Sequence, residues 1–260
     1  MHAHIIQLDI AWEDKAANYT RVHELVESAP INPHDLIVLP ELFDVGFTLD
    51  AKKATDSDGQ TRSFLQQLAD DTNCTVHGSR AVPDPDTGKL HNCATITTPG
   101  QSSPTCEYAK FHPFSFGREG ETYAAGNELK CYQWISGDRL LTVVPTICYD
   151  LRFPELFRMG LHHGAQAFVM GANWPIARIA HWRALCIARA IENQAYIIAA
   201  NRTGNDPHLS YPGNSMIVDP KGEVIAELGD EETVLSVEIN PQEVIKWRTT
   251  FPALNDIKLI

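Results

Sequence analysis

The chain has 260 residues, 43% of them hydrophobic, so it can bury a large core within one domain. Lys and Arg total 21 against 33 Asp and Glu, which gives a formal net charge of −12. Because a nucleic-acid surface needs clustered positive charge, this balance argues against nucleic acid as a partner. No apolar run approaches the length needed to cross a bilayer, so the sequence also argues against a membrane partner.

The first part of the chain alternates strand and helix patterns. The segments "AHIIQLD" (3–9) and "DLIVLP" (35–40) predict strands, and between them residues 14–28 carry Val22, Leu25 and Val26 at helical spacing. The start, "MHAHIIQLDI", has no basic segment, apolar core and small-residue cleavage site, so it indicates a first strand rather than a signal peptide. These features predict a β-α-β unit in a cytoplasmic protein.

The rest of the chain continues the pattern. The remaining predicted helices cover 61–71, 154–164 and 178–194, and the remaining predicted strands cover 74–82, 90–98, 105–110, 140–150, 165–173, 195–202, 214–220, 222–228 and 233–239. Each half therefore runs strand, helix, strand, helix and then several strands. This order favours two mixed layers whose sheets pack against each other with the helices outside. No linker divides the chain, so we expect one domain over residues 1–260.

Three polar residues stand at the ends of predicted strands. Glu41 follows "DLIVLP", Lys110 ends "CEYAK", and Cys148 ends "TVVPTIC". Alone, each has an ordinary explanation, since a cysteine can fill a core and a Glu or Lys can be a solvated loop residue. Together they supply a general base, an electrostatic stabiliser and a nucleophile. We therefore expect them to meet at one edge of the fold.

The segments around these residues resemble a known family. "LPELF" with Glu41, "KFHPF" with Lys110 and "ICYDLRFPELFR" with Cys148, in this order, are similar to the three signatures of the nitrilase, or carbon-nitrogen hydrolase, superfamily, and the resemblance covers essentially the whole chain. It implies an α/β fold, specifically a four-layer α-β-β-α sandwich, and a Glu41–Lys110–Cys148 catalytic triad. It also implies a homodimer and a reaction that needs no metal or organic cofactor.

The chemistry of these residue types agrees with that implication. A carboxylate at Glu41 can take the thiol proton as Cys148 attacks a carbonyl carbon, and the Lys110 ammonium and the backbone N–H of Tyr149 can stabilise the resulting oxyanion. The resemblance further implies a second glutamate after the lysine. Glu119 and Glu121 are both candidates, and the spacing from Gly126 favours Glu119.

A finer resemblance concerns the substrate. Residues 171–204, with their Asn-Trp-Pro and His-Trp elements, and the end "WRTTFPALNDI" resemble the bacterial ω-amidase branch. That branch hydrolyses the terminal amide of 2-oxoglutaramate or 2-oxosuccinamate. The alternatives are a nitrilase or carbamoylase acting on another small amide, nitrile or N-carbamoyl compound, and a binding or scaffold module of the same fold.

An anionic substrate needs local positive charge in a chain at −12. We expect Arg178, four residues after Trp174, to bind the distal carboxylate, with Arg183 and Arg202 as alternatives. The other residues expected to bind substrate are Phe47, Asn173 and Trp174.

Other residues have simpler interpretations. The six cysteines contain no C-x-x-C pair, so we expect reduced thiols, and all except Cys148 are interpreted as packing residues. His162 and His163 are adjacent and cannot form the i, i+4 pair of a helical zinc site, while His112 is interpreted as structural.

Two further expectations concern backbone and assembly. Pro145, beside Thr146 just before the cysteine, indicates a strand edge or a bulge, because proline removes a ladder donor. The loop "NDPHLSYPG" (205–213) is also unusual for the resembled branch and bears on the geometry of the substrate site. The dimer is expected to form through helix 178–194, on a second semi-apolar face made of Ile179, Trp182, Leu185, Cys186 and Arg189.

Overall fold

The computed structural model describes residues 1–258, within which every predicted strand and helix overlaps an observed element. The strands are β1 (His2–Gln7), β2 (Leu36–Val38), β3 (Thr75–Pro83), β4 (Leu90–Thr97), β5 (Cys106–Ala109), β6 (Tyr132–Ser136), β7 (Arg139–Ile147), β8 (Ala167–Ala172), β9 (Tyr196–Asn201), β10 (Thr203–Asn205), β11 (Ser210–Pro212), β12 (Met216–Val218), β13 (Val224–Glu227) and β14 (Thr233–Glu238). The α-helices are α1 (Lys15–Ser28), α2 (Ala51–Ala54), α3 (Gln60–Thr72), α4 (Pro154–His162), α5 (Ile179–Asn193) and α6 (Pro241–Thr250). Short 3-10 helices span Ser115–Gly117, Glu119–Glu121, Cys148–Arg152, Ile176–Arg178 and Ala253–Asp256. No helix in this part of the chain is both long and apolar enough to cross a membrane.

Two six-stranded sheets form the centre of the molecule. The first sheet has the order β14-β1-β2-β3-β4-β5, and the second has the order β13-β12-β9-β8-β7-β6. Strands β1, β2 and β3 are parallel, as are β7, β8 and β9, and helices make the crossovers between them. The carboxyl ends of β2 and β7 can therefore lie at one edge of the sandwich, where polar side chains that follow them can meet.

The alternation of side chains explains the layers. In β1, Ile5 belongs to the core between the two sheets, whereas Ile6 packs with Val22 of α1 and Leu65 of α3 on the outer face of the first sheet. Trp182 of α5 packs on the second sheet. The predicted α-β-β-α sandwich is therefore confirmed.

One strand crosses between the two halves of the chain. Strand β14 does not stay with the second half of the chain but pairs antiparallel with β1, with Ile5 opposite Leu235. Its pattern indicates a half-buried strand but carries no information about which strand edge it joins. The sequence patterns also missed β6, α6, α2 and the short β10–β11 hairpin.

Pro145 lies where the sequence predicted a special position. It pairs with Val169 of β8, but the pairing between β6 and β7 ends at Tyr132 and Val143. The proline is therefore in the part of β7 beyond its β6 partner, where a missing backbone donor is tolerated. Strand β7 is an inner strand of its sheet, so the proline lies at a local edge past the end of β6 and not on an edge strand.

The predicted dimer face on α5 was wrong for three of its five residues. Trp182 and Cys186 are fully buried and Arg189 is 5% exposed, all within this chain. Their spacing follows the inner face of the helix, which packs on its own sheet. On this helix the large exposed hydrophobic residue is Ile191.

Candidate active site

The three strand-end residues meet in one cavity. Glu41 follows β2 and Lys110 follows β5 in the first sheet, whereas Cys148 follows β7 in the second sheet. All three line a cavity of about 550 Å³. The structure thus brings Glu41 and Cys148, which are more than 100 residues apart in the sequence, together with Lys110, as the strand-end pattern predicted.

Glu41 is fully buried and its carboxylate is surrounded by donors. Lys110 Nζ donates to Oε1 at 2.7 Å, and the backbone N–H of Asn173 donates to Oε2 at 3.1 Å. The Asn173 amide also donates to the backbone carbonyl of Glu41 at 2.7 Å. These contacts fix both the position and the direction of the carboxylate.

The structure also distinguishes the two candidates for the second glutamate. Glu119 is fully buried, with Oε1 and Oε2 at 3.0 and 2.9 Å from Lys110 Nζ, and its Oε2 accepts the N–H of Phe114 at 2.5 Å. Glu121 is exposed and pairs with Arg118 at 2.7 Å. Glu119 is therefore the residue that contacts the lysine.

The charges in this cluster stabilise one another. Burial acts to lower the pKa of Lys110, but the carboxylates of Glu119 and Glu41 outweigh it and raise that pKa well above its ordinary value. Burial raises the pKa of Glu119, and Lys110 opposes this rise. Lys110 is consequently a fixed cation and not a proton donor at neutral pH.

Cys148 begins a short 3-10 helix and has a φ of +42°. Burial, reinforced by the Glu41 carboxylate, raises the pKa of its thiol well above the ordinary value, although Lys110 acts in the opposite direction. The thiol is therefore protonated at rest and needs a base in order to react. Tyr149 is the second residue of the same helix, and the first N–H groups of a helix have no partner within it.

Asp150, which the sequence reasoning did not single out, holds the turn after Cys148. Its buried carboxylate accepts the hydroxyl of Tyr108 at 2.8 Å, the N–H of Ile147 at 3.0 Å and a hydrogen bond from His112 Nδ1 at 2.8 Å. The His112 ring stacks on Phe153 with centroids 3.7 Å apart. This supports the structural interpretation of His112 and ties the lysine segment to the cysteine segment.

Gly171 of β8 allows the two sheets to approach closely beside Glu41. A Cβ atom at this position would lie 2.7 Å from the carbonyl oxygen of Leu39 and 2.9 Å from the backbone nitrogen of Glu41. Real Cβ atoms do not approach backbone this closely, so a side chain here would displace the segment that carries Glu41.

All four predicted substrate-binding residues line the cavity. They are Phe47, Asn173, Trp174 and Arg178. The Arg178 guanidinium lies 5.3 Å from the ring of Phe114. The loop 205–213 also contributes, because Asp206, Pro207, His208, Leu209 and Tyr211 line the same cavity.

A second arginine was missed. Arg152 lines the cavity with its guanidinium 4.8 Å from the ring of Trp174. Among residues 1–258, neither Arg152 nor Arg178 has a carboxylate partner. The position of Arg152 at the end of "CYDLR", four residues after Cys148, is the sequence feature that could have identified it.

The alternative arginines lie outside the cavity. Arg183 pairs with Glu227 at 2.9 Å on the surface. Arg202 is fully buried and donates to Asp9 at 3.3 Å and to backbone carbonyls. Both guanidiniums are already engaged in contacts within the chain.

No group of three or more His, Cys, Asp or Glu side chains is arranged to hold a metal ion in the part of the chain that the structure describes. His162 and His163 are exposed at the end of α4. All six cysteines are free.

Comparisons with known proteins agree with this geometry. The family model described as carbon-nitrogen hydrolase matches residues 3–249. The omega-amidase YafV of Yersinia enterocolitica is 35% identical over 254 residues, which cover 97% of this chain and 94% of that protein. The 2-oxoglutaramate amidase of Bacillus subtilis is 34% identical over 256 residues, with 97% and 96% covered.

The fold comparison gives the same result. The crystal structure of a CN-hydrolase superfamily protein from Xanthomonas campestris superposes with a TM-score of 0.91 at 32% identity, and the match covers 100% of this chain and 98% of the other. The fold and the site thus define the class of the protein as a hydrolase. The chain belongs to the carbon-nitrogen hydrolase family.

Proposed function

We propose that the protein hydrolyses the terminal amide of a small 2-oxo dicarboxylic acid monoamide, such as 2-oxoglutaramate or 2-oxosuccinamate, through a thioester at Cys148. The names of the relatives support this substrate class. The observation that carries the proposal is that the cavity containing Glu41, Lys110 and Cys148 also contains two guanidiniums, those of Arg152 and Arg178, without carboxylate partners among the described residues. The carboxylate of the substrate would be the partner of these guanidiniums.

In the first half of the reaction, Glu41 takes the thiol proton as Cys148 Sγ attacks the amide carbon. The attack breaks the carbonyl π bond and moves its electron pair onto the oxygen. Collapse of the tetrahedral intermediate breaks the carbon–nitrogen bond, and the leaving nitrogen takes the proton from Glu41 and departs as ammonia. The product on the enzyme is a Cys148 thioester.

In the second half, Glu41 accepts a proton from water as the water oxygen attacks the thioester carbon. The second tetrahedral intermediate collapses with cleavage of the carbon–sulfur bond, and the proton returns to the sulfur. The free acid leaves and the thiol is restored. One carboxylate therefore acts as base and acid in both halves.

The remaining polar groups stabilise charge. The developing oxyanion in both halves lies between the Lys110 ammonium and the Tyr149 N–H, which are fixed before the reaction begins. Glu119 keeps Lys110 in place and charged, since both of its carboxylate oxygens contact the ammonium.

The distal end of the substrate is held by charge. Arg178, or Arg178 together with Arg152, binds the carboxylate through paired hydrogen bonds, and this orients the amide carbon toward Cys148. Phe47 and Trp174 supply apolar surface along the chain between the two ends. Asn173 lines the site and directs the carboxylate of Glu41.

The test is ammonia release from a panel of 2-oxoglutaramate, glutamine, a simple nitrile and N-carbamoyl-β-alanine. We expect the highest kcat/KM on 2-oxoglutaramate and no ammonia from the Cys148→Ala variant. A higher kcat/KM on the nitrile or on the carbamoyl compound would replace the proposal with a nitrilase or a carbamoylase. No turnover of any amide would favour a binding module of the same fold.

We also propose that the chain forms a homodimer in the cytoplasm. The exposed Ile191 of α5 and Ile245 of α6 provide apolar surface on the outside of the second sheet, and the free thiols suit a reducing compartment. Sedimentation should give a dimer at micromolar concentration. A monomer throughout that range would contradict this assembly.

A further inference from the structure

Asn92 contacts both carboxylates of the site and the backbone of Lys110. It lies on β4, is 1% exposed, and its Nδ2 donates to Glu41 Oε1 at 2.8 Å and to Glu119 Oε1 at 3.1 Å. Its backbone carbonyl accepts the N–H of Lys110 at 2.9 Å. A single uncharged side chain thus joins the two carboxylates that share one ammonium.

The orientation of this amide follows from its neighbours. Both glutamate oxygens are acceptors, so the NH₂ group of Asn92 must face them, and the Oδ1 atom must point away. Within residues 1–258, Oδ1 is buried without a hydrogen-bond partner. An unmet buried acceptor destabilises a fold, so packing alone does not account for an asparagine at this position.

The charges of the cluster suggest what the amide does. Two carboxylates and one ammonium leave an excess negative charge in a buried place, which favours protonation of one carboxylate. The other titratable groups nearby are Cys148, Tyr123 and Asp44. The thiol is neutral at rest, and burial raises the pKa of the Tyr123 phenol well above its ordinary value, so neither adds to the negative charge of the cluster.

We propose that Asn92 is a positioning residue that directs the Glu41 carboxylate at Cys148 and stabilises the pair of glutamate carboxylates by donating to both at once. The inference rests on the role proposed for Glu41, but not on the identity of the substrate. A neutral donor suits this role because it stabilises the two anions without competing with Lys110 for them. Its loss should let a proton bind the carboxylate pair at a higher pH and remove the base.

The experiment measures the rate at which iodoacetamide alkylates Cys148, by mass spectrometry of the peptide that carries Cys148, from pH 4.5 to 9, because the exposed free thiol of Cys131 also reacts. This readout needs no substrate, so it stays informative if 2-oxoglutaramate proves not to be one. The variants are Asn92→Leu, which removes the donor but keeps the branching at Cγ, and the isosteric Asn92→Asp, which replaces it with a third carboxyl group. The control is Thr97→Val, which removes a buried side-chain donor from the same strand away from the glutamates.

We expect the acid limb of the alkylation profile to move up by about one pH unit in Asn92→Leu, as the loss of one hydrogen bond to a charged group implies. Asn92→Asp should move it at least as far, and Thr97→Val should leave it unchanged. For any substrate that the enzyme turns over, kcat should fall about tenfold in Asn92→Leu while KM changes less than twofold.

A profile of Asn92→Leu that coincides with the wild type would overturn the proposal. If Asn92→Leu does not fold, the same comparison is made with Asn92→Asp, and an unchanged acid limb there has the same meaning. A variant that loses thermal stability but keeps the wild-type profile would show that Asn92 is only structural.

Discussion

Both carboxylate oxygens of Glu119 lie within hydrogen-bond distance of Lys110 Nζ, at 3.0 and 2.9 Å. Glu41 Oε1 lies 2.7 Å from the same ammonium. Lys110 therefore cannot move or lose its proton without breaking buried ion pairs, and it presents a fixed positive charge to the cavity.

The first prediction distinguishes Glu119 from Glu121, the two sequence candidates for the second glutamate. Glu119→Gln removes one of the two anions that hold Lys110, so we expect kcat to fall by about 10²-fold or more, the usual effect of disturbing an electrostatic stabiliser. Glu121→Gln is the matched control, because Glu121 only pairs with Arg118 at the surface. Steady-state kinetics on one amide substrate should show less than a twofold effect for the control. Similar losses in both variants would contradict the role of Glu119.

These contacts show which parts of the site could be predicted from sequence. Glu41, Lys110 and Cys148 were accessible because each follows an apolar strand, and strand ends converge at one edge of a sheet. Glu119 and Glu121 were only partly distinguishable, since a short 3-10 helix gives no long periodic pattern from which burial can be inferred. Asn92 and Arg152 were missed because a lone polar residue in a strand or a turn has many ordinary explanations. The pairing of β14 with β1 is a tertiary choice that local pattern does not encode.

The second prediction concerns the nucleophile. Cys148→Ala should reduce hydrolysis to background, a loss of at least about 10³-fold, because no other group can form the thioester. Cys186→Ala is the control, since Cys186 is buried on the inner face of α5 and lies outside the cavity. Acid quench and intact mass should detect an acyl adduct in the wild type and in Cys186→Ala only. Near wild-type turnover by Cys148→Ala would remove the covalent mechanism.

The third prediction concerns the free energy of unfolding, which should depend on pH through the buried carboxylate of Asp44. Burial raises the pKa of Asp44 from 3.8 to about 6, although the Thr61 hydroxyl and Lys15 oppose the shift. Because the folded state binds this proton more tightly than the unfolded state, the stability it contributes is present at low pH and is lost as pH rises from about 4 to 6. Relative to Asp44→Asn, the wild type should therefore lose up to about 3 kcal/mol of unfolding free energy across that window.

Urea unfolding of both proteins at pH 4, 5, 6 and 7 measures this difference. Only the difference between the two proteins is informative, since other groups titrate in both. A difference that stays constant with pH would show that Asp44 keeps its ordinary pKa in the folded protein.

The fourth prediction tests the close approach at Gly171. Gly171→Ala forces the segment 39–41 to shift, so we expect kcat to fall by roughly 10²-fold, the effect of a catalytic group displaced by about 1 Å. Gly88→Ala is the control for stability alone: it has a φ of +69° in the exposed hairpin 84–89, and its Cβ would meet no atom within 4 Å. That control should lower the melting temperature but not kcat. Unchanged kcat in Gly171→Ala would show that the Glu41 carboxylate keeps its position when the backbone shifts to accommodate the methyl group.

The last prediction concerns substrate choice and rests on charge. A guanidinium that binds the distal carboxylate should contribute roughly 1.5 to 3 kcal/mol, the usual value of hydrogen bonds to a charged group. Arg178→Ala should therefore lower kcat/KM on 2-oxoglutaramate by about 10- to 150-fold but affect pentanamide, a neutral amide of the same chain length, much less. Arg183→Ala should change neither value, because Arg183 pairs with Glu227 outside the cavity. An equal loss on both substrates would show that Arg178 only supports its loop, and a selective loss in Arg152→Ala would then assign the carboxylate to the guanidinium beside Trp174.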